Sequence, residues 1–353
     1  MKNESTLLTV ESLIFSFHTY AGEVQAVRGV SFQLEKGQTL GIVGESGCGK
    51  SVTAKSIVRL NPDKPSGEIK NGRILFDGKI ITELTEKEMQ KIRAKEIRMI
   101  FQDPMTSLNP TMTIGKQIAE GIIKSGVSSK EEAKKIAIEA LTMAGIPSPE
   151  ERYDQFPHEF SGGMRQRAMI ALAMAVNPKL LIADEPTTAL DVTTQAQILN
   201  SKSGAQIMEL FQSLHEEGVT IIMITHDLGV VSNIADKIAV MYAGKVVEYG
   251  NAEDIFEYAS HPYTWGIMQS IPPEDISNKE PLKPILGTPP DLLHPPKGCA
   301  FAARCQYAMK VCRCIDAPGF EVEGDGHKVW CWLYDERAKQ MQKTVNPITG
   351  KEV

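Results

Sequence analysis

No apolar run in this sequence comes near the roughly 18 residues that a membrane-spanning helix requires. The longest, from Ala168 to Val176, has nine. A chain that crosses a bilayer on helices of its own is therefore not expected. The first residues lack a basic stretch followed by an apolar core, so no secretory signal is read there. A basic surplus is also missing: 38 Lys and Arg stand against 44 Asp and Glu, a formal charge of −6. That mild acidity argues against non-specific nucleic-acid binding. Cysteine is absent between Cys48 and Cys299, while Cys299, Cys305, Cys312, Cys314 and Cys331 crowd the last 55 residues. Chains of reducing compartments rarely spend cysteine on disulfides, so this cluster needs another account. What remains is an ordinary globular composition, 42% hydrophobic and 23% charged over 353 residues. The length suits one large domain with an extension.

LLTVESLIF and VSFQL alternate apolar and polar residues, the period of strands. TLGIVG is nearly continuous and apolar, as in a parallel strand covered on both faces. GRILFDGKII reads as a strand pair turning at Asp77-Gly78, and KIAVMYAGKVVEYG as a hairpin turning at Ala243-Gly244. EIRMIFQDP, KLLIADEP and VTIIMITHD read as further strands, residues 113–145 as helical, and MRQRAMIALAMAV as another helix. After about residue 260 prolines cluster, marking a loop-rich extension. A polar tail starts at Asp335.

TLGIVG runs into GESGCGKS, Gly44 to Ser51, and then into a helical pattern. This is the phosphate-loop pattern G-x-x-x-x-G-K-[ST] in its strand–loop–helix setting. Glycines let backbone N–H groups turn toward phosphates, and the helix start adds its positive dipole end. Gly44, Glu45, Ser46, Gly47, Cys48, Gly49, Lys50, Ser51 and Val52 are the candidate nucleotide-binding residues. Lys50 is expected to reach the β and γ phosphates, and the Ser51 hydroxyl to bind Mg²⁺. Cys48 occupies a variable position of the pattern, so a metal or redox role for it is not favoured. LLIADE places Asp184 and Glu185 at a strand end, where ligands of doubly wound sheets bind. Asp184 is the expected Mg²⁺ holder and Glu185 the general base that polarises the attacking water. Two exposed acids at a turn are the alternative.

At FSGGMRQR, residues 160–167, the chain resembles the ATP-binding-cassette family, whose signature LSGGQ is varied here to FSGGM. Ser161 lies 111 residues after Lys50, with the paired acids close behind, in the family's order. Gln102 in FQDP matches the Q-loop, Ala189–Asp191 the D-loop, and His226 in ITHD the switch histidine. The resemblance implies an α/β fold: a P-loop NTPase core with an antiparallel β subdomain and a helical signature subdomain at about 104–175. It implies ATP and Mg²⁺, with Ser51, Gln102 and Asp184 at the metal and His226 at the γ-phosphate. It also implies a head-to-tail dimer in which Ser161, Gly162 and Gly163 of one subunit close over the nucleotide of the other. An aromatic platform for adenine is implied upstream; alignment on AVRGVSF favours Phe17 over Tyr20.

GIVGESGCGKSV, FQDPMTSLNP, HEFSGGMRQR, ADEPTTALDVT and above all GTPPDLLHPPKGCAFAARC resemble ATP-binding subunits of oligopeptide and dipeptide permeases. The implied domains are residues 1–260 for the nucleotide-binding domain, 261–334 for the permease-type extension and 335–353 for the tail. The implied partners are two transmembrane permease subunits, a second and different ATP-binding subunit, and an extracellular solute-binding protein acting indirectly. No nucleic acid is expected. The implied place is the cytoplasmic face of the cell membrane, peripherally bound. Nickel permeases look similar and stay open as an alternative, as does a soluble ATPase outside transport.

Cys299, Cys305, Cys312 and Cys331 resemble the C-terminal cysteines that hold a four-iron, four-sulfur cluster in such subunits. Four thiolates also suit zinc, though the spacing is not that of a zinc ribbon. No metal at all is a third possibility, and Cys314 is a spare or alternative ligand. The extension looks short of apolar residues and in need of such a staple. One departure from the family stands out. AQI recurs at 196–198 and 205–207, as if nine residues were inserted. Nine residues turn a continuous helix by about half a revolution. Asn200 to Gly204 is therefore expected to loop out, with the helix restarting at Ala205.

Overall fold

The computed structural model describes residues 5–127, 129–187, 202–270, 284–324, 326–341 and 344–351. The chain opens with strands β1 (Thr6–Thr19), β2 (Gly22–Glu35) and β3 (Thr39–Val43), then helix α1 (Lys50–Ile57). Next come β4 (Gly67–Phe76), β5 (Lys79–Ile80), α2 (Glu86–Lys95) and β6 (Ile97–Ile100). A helical stretch follows, with α3 (Pro104–Ser107), α4 (Ile114–Lys124), α5 (Lys130–Met143), α6 (Pro149–Tyr153) and α7 (Gly162–Met174). β7 (Leu180–Asp184), α8 (Lys202–Glu216), β8 (Thr220–Thr225), α9 (Leu228–Val231), β9 (Lys237–Tyr242) and β10 (Lys245–Asn251) complete the middle of the chain. The last part holds α10 (Ala252–Glu257), α11 (Pro262–Gln269), β11 (Phe320–Glu321), β12 (Lys328–Val329) and α12 (Glu336–Met341). No helix among the described residues is long and apolar enough to cross a membrane.

The described residues form two compact units. One draws on 1–35, 39–82 and 225–353, the other on 36–38 and 83–224. In the first, an antiparallel sheet runs in the order β2-β1-β4-β5. Its β4–β5 hairpin turns at Asp77 (φ 46°) and Gly78 (φ 79°), the paired positive φ values of a two-residue loop that follows strand twist. β3 pairs in parallel with β9, and β9 pairs antiparallel with β10 through the turn at Ala243 and Gly244. Every residue of β3 is buried, the environment its unbroken apolar run requires.

The extension joins this unit through β12, which pairs with β10 at Glu248↔Val329. It is rich in loops, but the expected shortage of apolar packing is not found. Ala259, Trp265, Val329, Cys331 and Leu333 form a buried cluster. These side chains are scattered along the sequence and meet only because β12 returns to β10. Beside them, buried Glu248 accepts hydrogen bonds from the backbone N–H groups of Ser260 (2.6 Å) and His261 (2.9 Å), and from Thr264 Oγ1 (2.5 Å). His327 Nε2 lies 2.8 Å from Glu248 Oε1, and His327 Nδ1 lies 2.8 Å from the Glu323 carbonyl.

In the second unit β6, β7 and β8 are parallel, with Met99↔Ile182 and Ile182↔Ile222 in register. All residues of β7 and β8 are buried. Two expectations need correction here. Residues 113–145 form two helices, because Gly126 adopts φ 118° after α4 and Ser129 starts α5 afresh, its hydroxyl accepting from the Glu132 N–H at 3.2 Å. Nor does the helix restart at Ala205: α8 is already helical from Lys202, so residues 202–204 do not loop out. A short Lys-Ser-Gly run is a weak helix former, but it sits on the first turn of an amphipathic helix that buries Ile207, Phe211 and Leu214. Asn200, Ser201 and the D-loop residues 189–191 lie outside the described residues.

Candidate functional site

β3 delivers the chain to Gly44, and α1 begins at Lys50. A side chain at Gly44 would run into the Met241 carbonyl of β9, and one at Gly49 into the Ala26 carbonyl of β2. The two glycines are thus required by close backbone approach as well as by φ. The loop is tied to the β9–β10 turn, since Gly244 N–H donates to the Cys48 carbonyl (2.9 Å). Lys50 is only 4% exposed, and its Nζ donates to the carbonyls of Gly44 (2.6 Å) and Glu45 (3.1 Å). The result is a closed turn with a buried cation, suited to an anion at the helix start. Burial, with smaller opposing contributions from Lys50, holds the Cys48 thiol above its ordinary pKa, so Cys48 acts as packing.

Two contacts to this loop were not legible in the sequence. The Glu45 N–H donates to Tyr263 Oη of α11 (2.8 Å). The Glu45 carboxylate takes a two-pronged contact from Arg304, with Nη1 at 2.7 Å and Nη2 at 3.0 Å. Arg304 is 259 residues away in the chain, so no local pattern announces it.

In the second unit Asp184 ends β7 and is buried, and Glu185 follows with φ 48°. A non-glycine residue in that region is strained by about 1 kcal/mol or more, a cost that recurs at functional positions. The Glu185 N–H donates to the Ile224 carbonyl (2.9 Å). Gln102 Nε2 donates to Glu185 Oε2 at 2.8 Å. The Q-loop glutamine and the candidate base are therefore brought together. Ser161 caps α7, accepting from the Met164 N–H at 3.3 Å, and Ser161 and Gly162 are exposed. His226 directly follows β8, and Asp227 caps α9 through the Gly229 N–H (2.9 Å).

The two adenine candidates differ in surroundings. Phe17 is half-buried on β1, edge-on to Phe15 with ring centroids 5.0 Å apart. Tyr20 stands fully exposed at the β1–β2 turn.

Cys299, Cys305, Cys312 and Cys331 line one cavity together with His261. Cys314 is exposed and takes no part in that lining. Burial and then the neighbouring thiols push Cys331 well above the ordinary thiol value, and Cys305 is pushed up to about 12, chiefly by burial. His261 Nδ1 accepts from the Tyr263 N–H (3.0 Å), which leaves the ring hydrogen on Nε2. That Nε2 is buried without a protein partner, and burial lowers the His261 pKa to about 3. Among the described residues no three His, Cys, Asp or Glu side chains close around a single metal ion.

The profile of the ABC transporter family matches residues 27–188. That of the oligopeptide/dipeptide transporter C-terminal region matches residues 247–312. The oligopeptide transport ATP-binding protein OppD of Bacillus subtilis is 58% identical over 95% of this chain and 91% of its own length. The dipeptide transport ATP-binding protein DppD of the same organism is 54% identical over 94% of this chain and 96% of its own. Among solved structures, the ATP-binding cassette MJ0796, a dimer bound to ADP and Pi, superposes with a TM-score of 0.61 at 29% identity. The match covers 70% of this chain and 99% of that one. The chain therefore belongs to the ATP-hydrolysing ABC family, in its branch of oligopeptide and dipeptide transport ATP-binding proteins.

Proposed function

We propose that this chain hydrolyses ATP to energise import of oligopeptides or dipeptides, as one cassette of a pair bound to two membrane permease subunits. The observation that carries this reading is the joining, in one chain, of a closed phosphate loop to the C-terminal region of peptide transporters. OppD and DppD of Bacillus subtilis are oligopeptide and dipeptide transport ATP-binding proteins, which favours peptides over nickel as cargo. The site roles follow the motifs. Lys50 binds the phosphates; Ser51, Gln102 and Asp184 offer the oxygen donors that Mg²⁺ prefers; Glu185 is the general base; His226 meets the γ-phosphate. Ser161, Gly162 and Gly163 serve the nucleotide of the partner cassette. We assign the adenine platform to Tyr20 rather than Phe17, because its ring face is exposed. The domain division is that of a nucleotide-binding domain to about residue 260, the extension to 334 and the tail beyond. The chain acts peripherally on the cytoplasmic face of the membrane, with a second, different cassette and an extracellular binding protein completing the importer.

A four-iron, four-sulfur cluster on Cys299, Cys305, Cys312 and Cys331 belongs to the same proposal. The fit rests on four thiols around one cavity and on the buried, unpartnered His261 Nε2 of the same lining. Thiols that raise one another's pKa are stabilised as thiolates once a cation lies between them. Zinc requires sulfurs about 3.8 Å apart, from tetrahedral Zn–S bonds of about 2.3 Å. Zinc is the alternative occupant, and the iron content of the purified protein separates the two. Bound there, the iron–sulfur cluster would act as a structural staple for the extension.

Affinity capture of the chain from detergent-solubilised membranes is expected to bring down two polytopic proteins and a second cassette. Recovery as a free soluble ATPase would contradict the transport reading. Protein purified without oxygen is expected to be brown and to contain iron; colourless, zinc-loaded protein would overturn the cluster assignment.

A further inference from the structure

Glu45 occupies a variable position of the phosphate loop, yet every polar group it has is engaged. Its N–H donates to Tyr263 Oη, its carbonyl accepts from Lys50 Nζ, and its carboxylate is held by Arg304. Arg304 is in turn held at several points. It donates from Nη1 to Tyr242 Oη (3.2 Å), from Nη2 to the Ile285 carbonyl (3.1 Å) and from Nε to the Leu286 carbonyl (3.0 Å). Its side chain is 5% exposed. A two-pronged, charge-assisted contact from so fixed a guanidinium sets the carboxylate's direction as well as its charge.

Elementary electrostatics supplies the reason. A bare carboxylate beside a phosphate loop repels the polyphosphate that the loop exists to bind. It also competes for Lys50, whose Nζ already donates to the carbonyls of Gly44 and Glu45. We infer that Arg304 is a positioning residue for nucleotide binding: it neutralises Glu45 and holds its carboxylate away from the phosphates and from Lys50. The extension thereby acts on the nucleotide loop through Arg304, alongside the Tyr263 hydroxyl that holds the Glu45 N–H. Arg304 lies next to Cys305, so ordering of the cysteine-lined segment fixes the arginine as well. This inference rests on residues 44–52 being the nucleotide loop.

The test is titration of the full-length chain with a fluorescent ATP analogue and Mg²⁺, paired with steady-state kinetics. Arg304→Ala is expected to weaken binding about tenfold, with a smaller change in kcat than in KM. The double variant Arg304→Ala, Glu45→Gln is expected to recover most of the loss, because the unpaired charge is gone. Arg304→Lys, which keeps the charge but not the fork, is expected to fall between wild type and Arg304→Ala. Binding within twofold of wild type in Arg304→Ala would overturn the inference. So would a double variant as weak as the single one, the outcome expected of a purely structural role. If Arg304→Ala does not fold, Arg304→Gln with and without Glu45→Gln poses the same question. Lys50→Ala tests the loop reading separately. Loss of binding there upholds it, whereas retained binding removes the basis of the inference even if Arg304→Ala is impaired.

Discussion

Residues 44–51 and 160–163 both lead a glycine-containing turn into the start of a helix, yet Lys50 is 4% exposed while Ser161 and Gly162 stand in solvent. The first turn is closed by its neighbours. β2 and β9 leave no room for side chains at Gly49 and Gly44, Gly244 bonds its carbonyl backbone, and Tyr263 and Arg304 hold Glu45. The second turn has a capping serine and an open face. A closed turn is suited to holding an anion by itself. An open helix start is suited to an anion brought by something else, the role proposed above for Ser161, Gly162 and Gly163 toward a partner cassette. The local sequence pattern is similar in the two places; what packs around each one differs, and the proposed division of their work follows that difference.

The largest test of that contrast changes one charge at each turn, removing a cation from the first and adding an anion to the second. Lys50→Ala is expected to weaken ATP binding about a hundredfold or more. Ser161→Asp keeps the helix cap but places a carboxylate where a partner's phosphate would dock. It is expected to leave ATP binding by the single chain within about twofold while lowering turnover of the assembled pair by about tenfold or more. Equal loss of binding in both variants would erase the distinction.

A second test loosens the packing that accompanies the closed turn. Burial on its own would lower the His327 pKa, but the hydrogen bond and charge of Glu248 outweigh it and hold His327 above its ordinary value of 6.5. Both its ring nitrogens face oxygen acceptors, consistent with a charged ring. Because the folded value is raised, the stabilisation is complete below pH 6.5 and is lost as pH rises above it through the raised folded value. His327→Gln is therefore expected to cost about 3 kcal/mol at pH 6 and progressively less at alkaline pH, read by thermal unfolding. A cost that grows with pH would reverse the sign and refute the charged pair.

The smallest effect separates the two aromatic candidates. Tyr20→Ala is expected to weaken ATP binding about tenfold with little change in melting temperature. Phe17→Ala is expected to lower stability by about 1 kcal/mol, through its lost contact with Phe15, and to leave binding nearly unchanged. The opposite pattern would restore Phe17 as the platform.

The parts of this molecule that were legible in advance are those whose cause is local. The phosphate loop, the turns at Asp77-Gly78 and Ala243-Gly244, and the buried strand before Gly44 each carry their own residue requirements. What escaped was set by distant partners. Arg304 finds Glu45 only after the extension folds back, and Tyr263 does the same from α11. The extension's apolar cluster needs β12 to pair with β10. The break at Gly126 is not announced locally, because Lys116, Glu120 and Lys124 before it and Lys130 and Lys134 after it all keep four-residue helical spacing. The early start of α8 was missed because Ile207, Phe211 and Leu214 outweigh the weak propensity of the turn before them.

On the proposed function, the loop at residues 44–51 binds ATP and the strained Glu185 carboxylate activates the water that cleaves it. The most direct measurement compares bound nucleotide and single-turnover hydrolysis in wild type and Glu185→Gln. Glu185→Gln is expected to keep its ATP, intact, while hydrolysis slows by about a hundredfold or more. Near-normal turnover in that variant, or loss of bound ATP, would contradict the account.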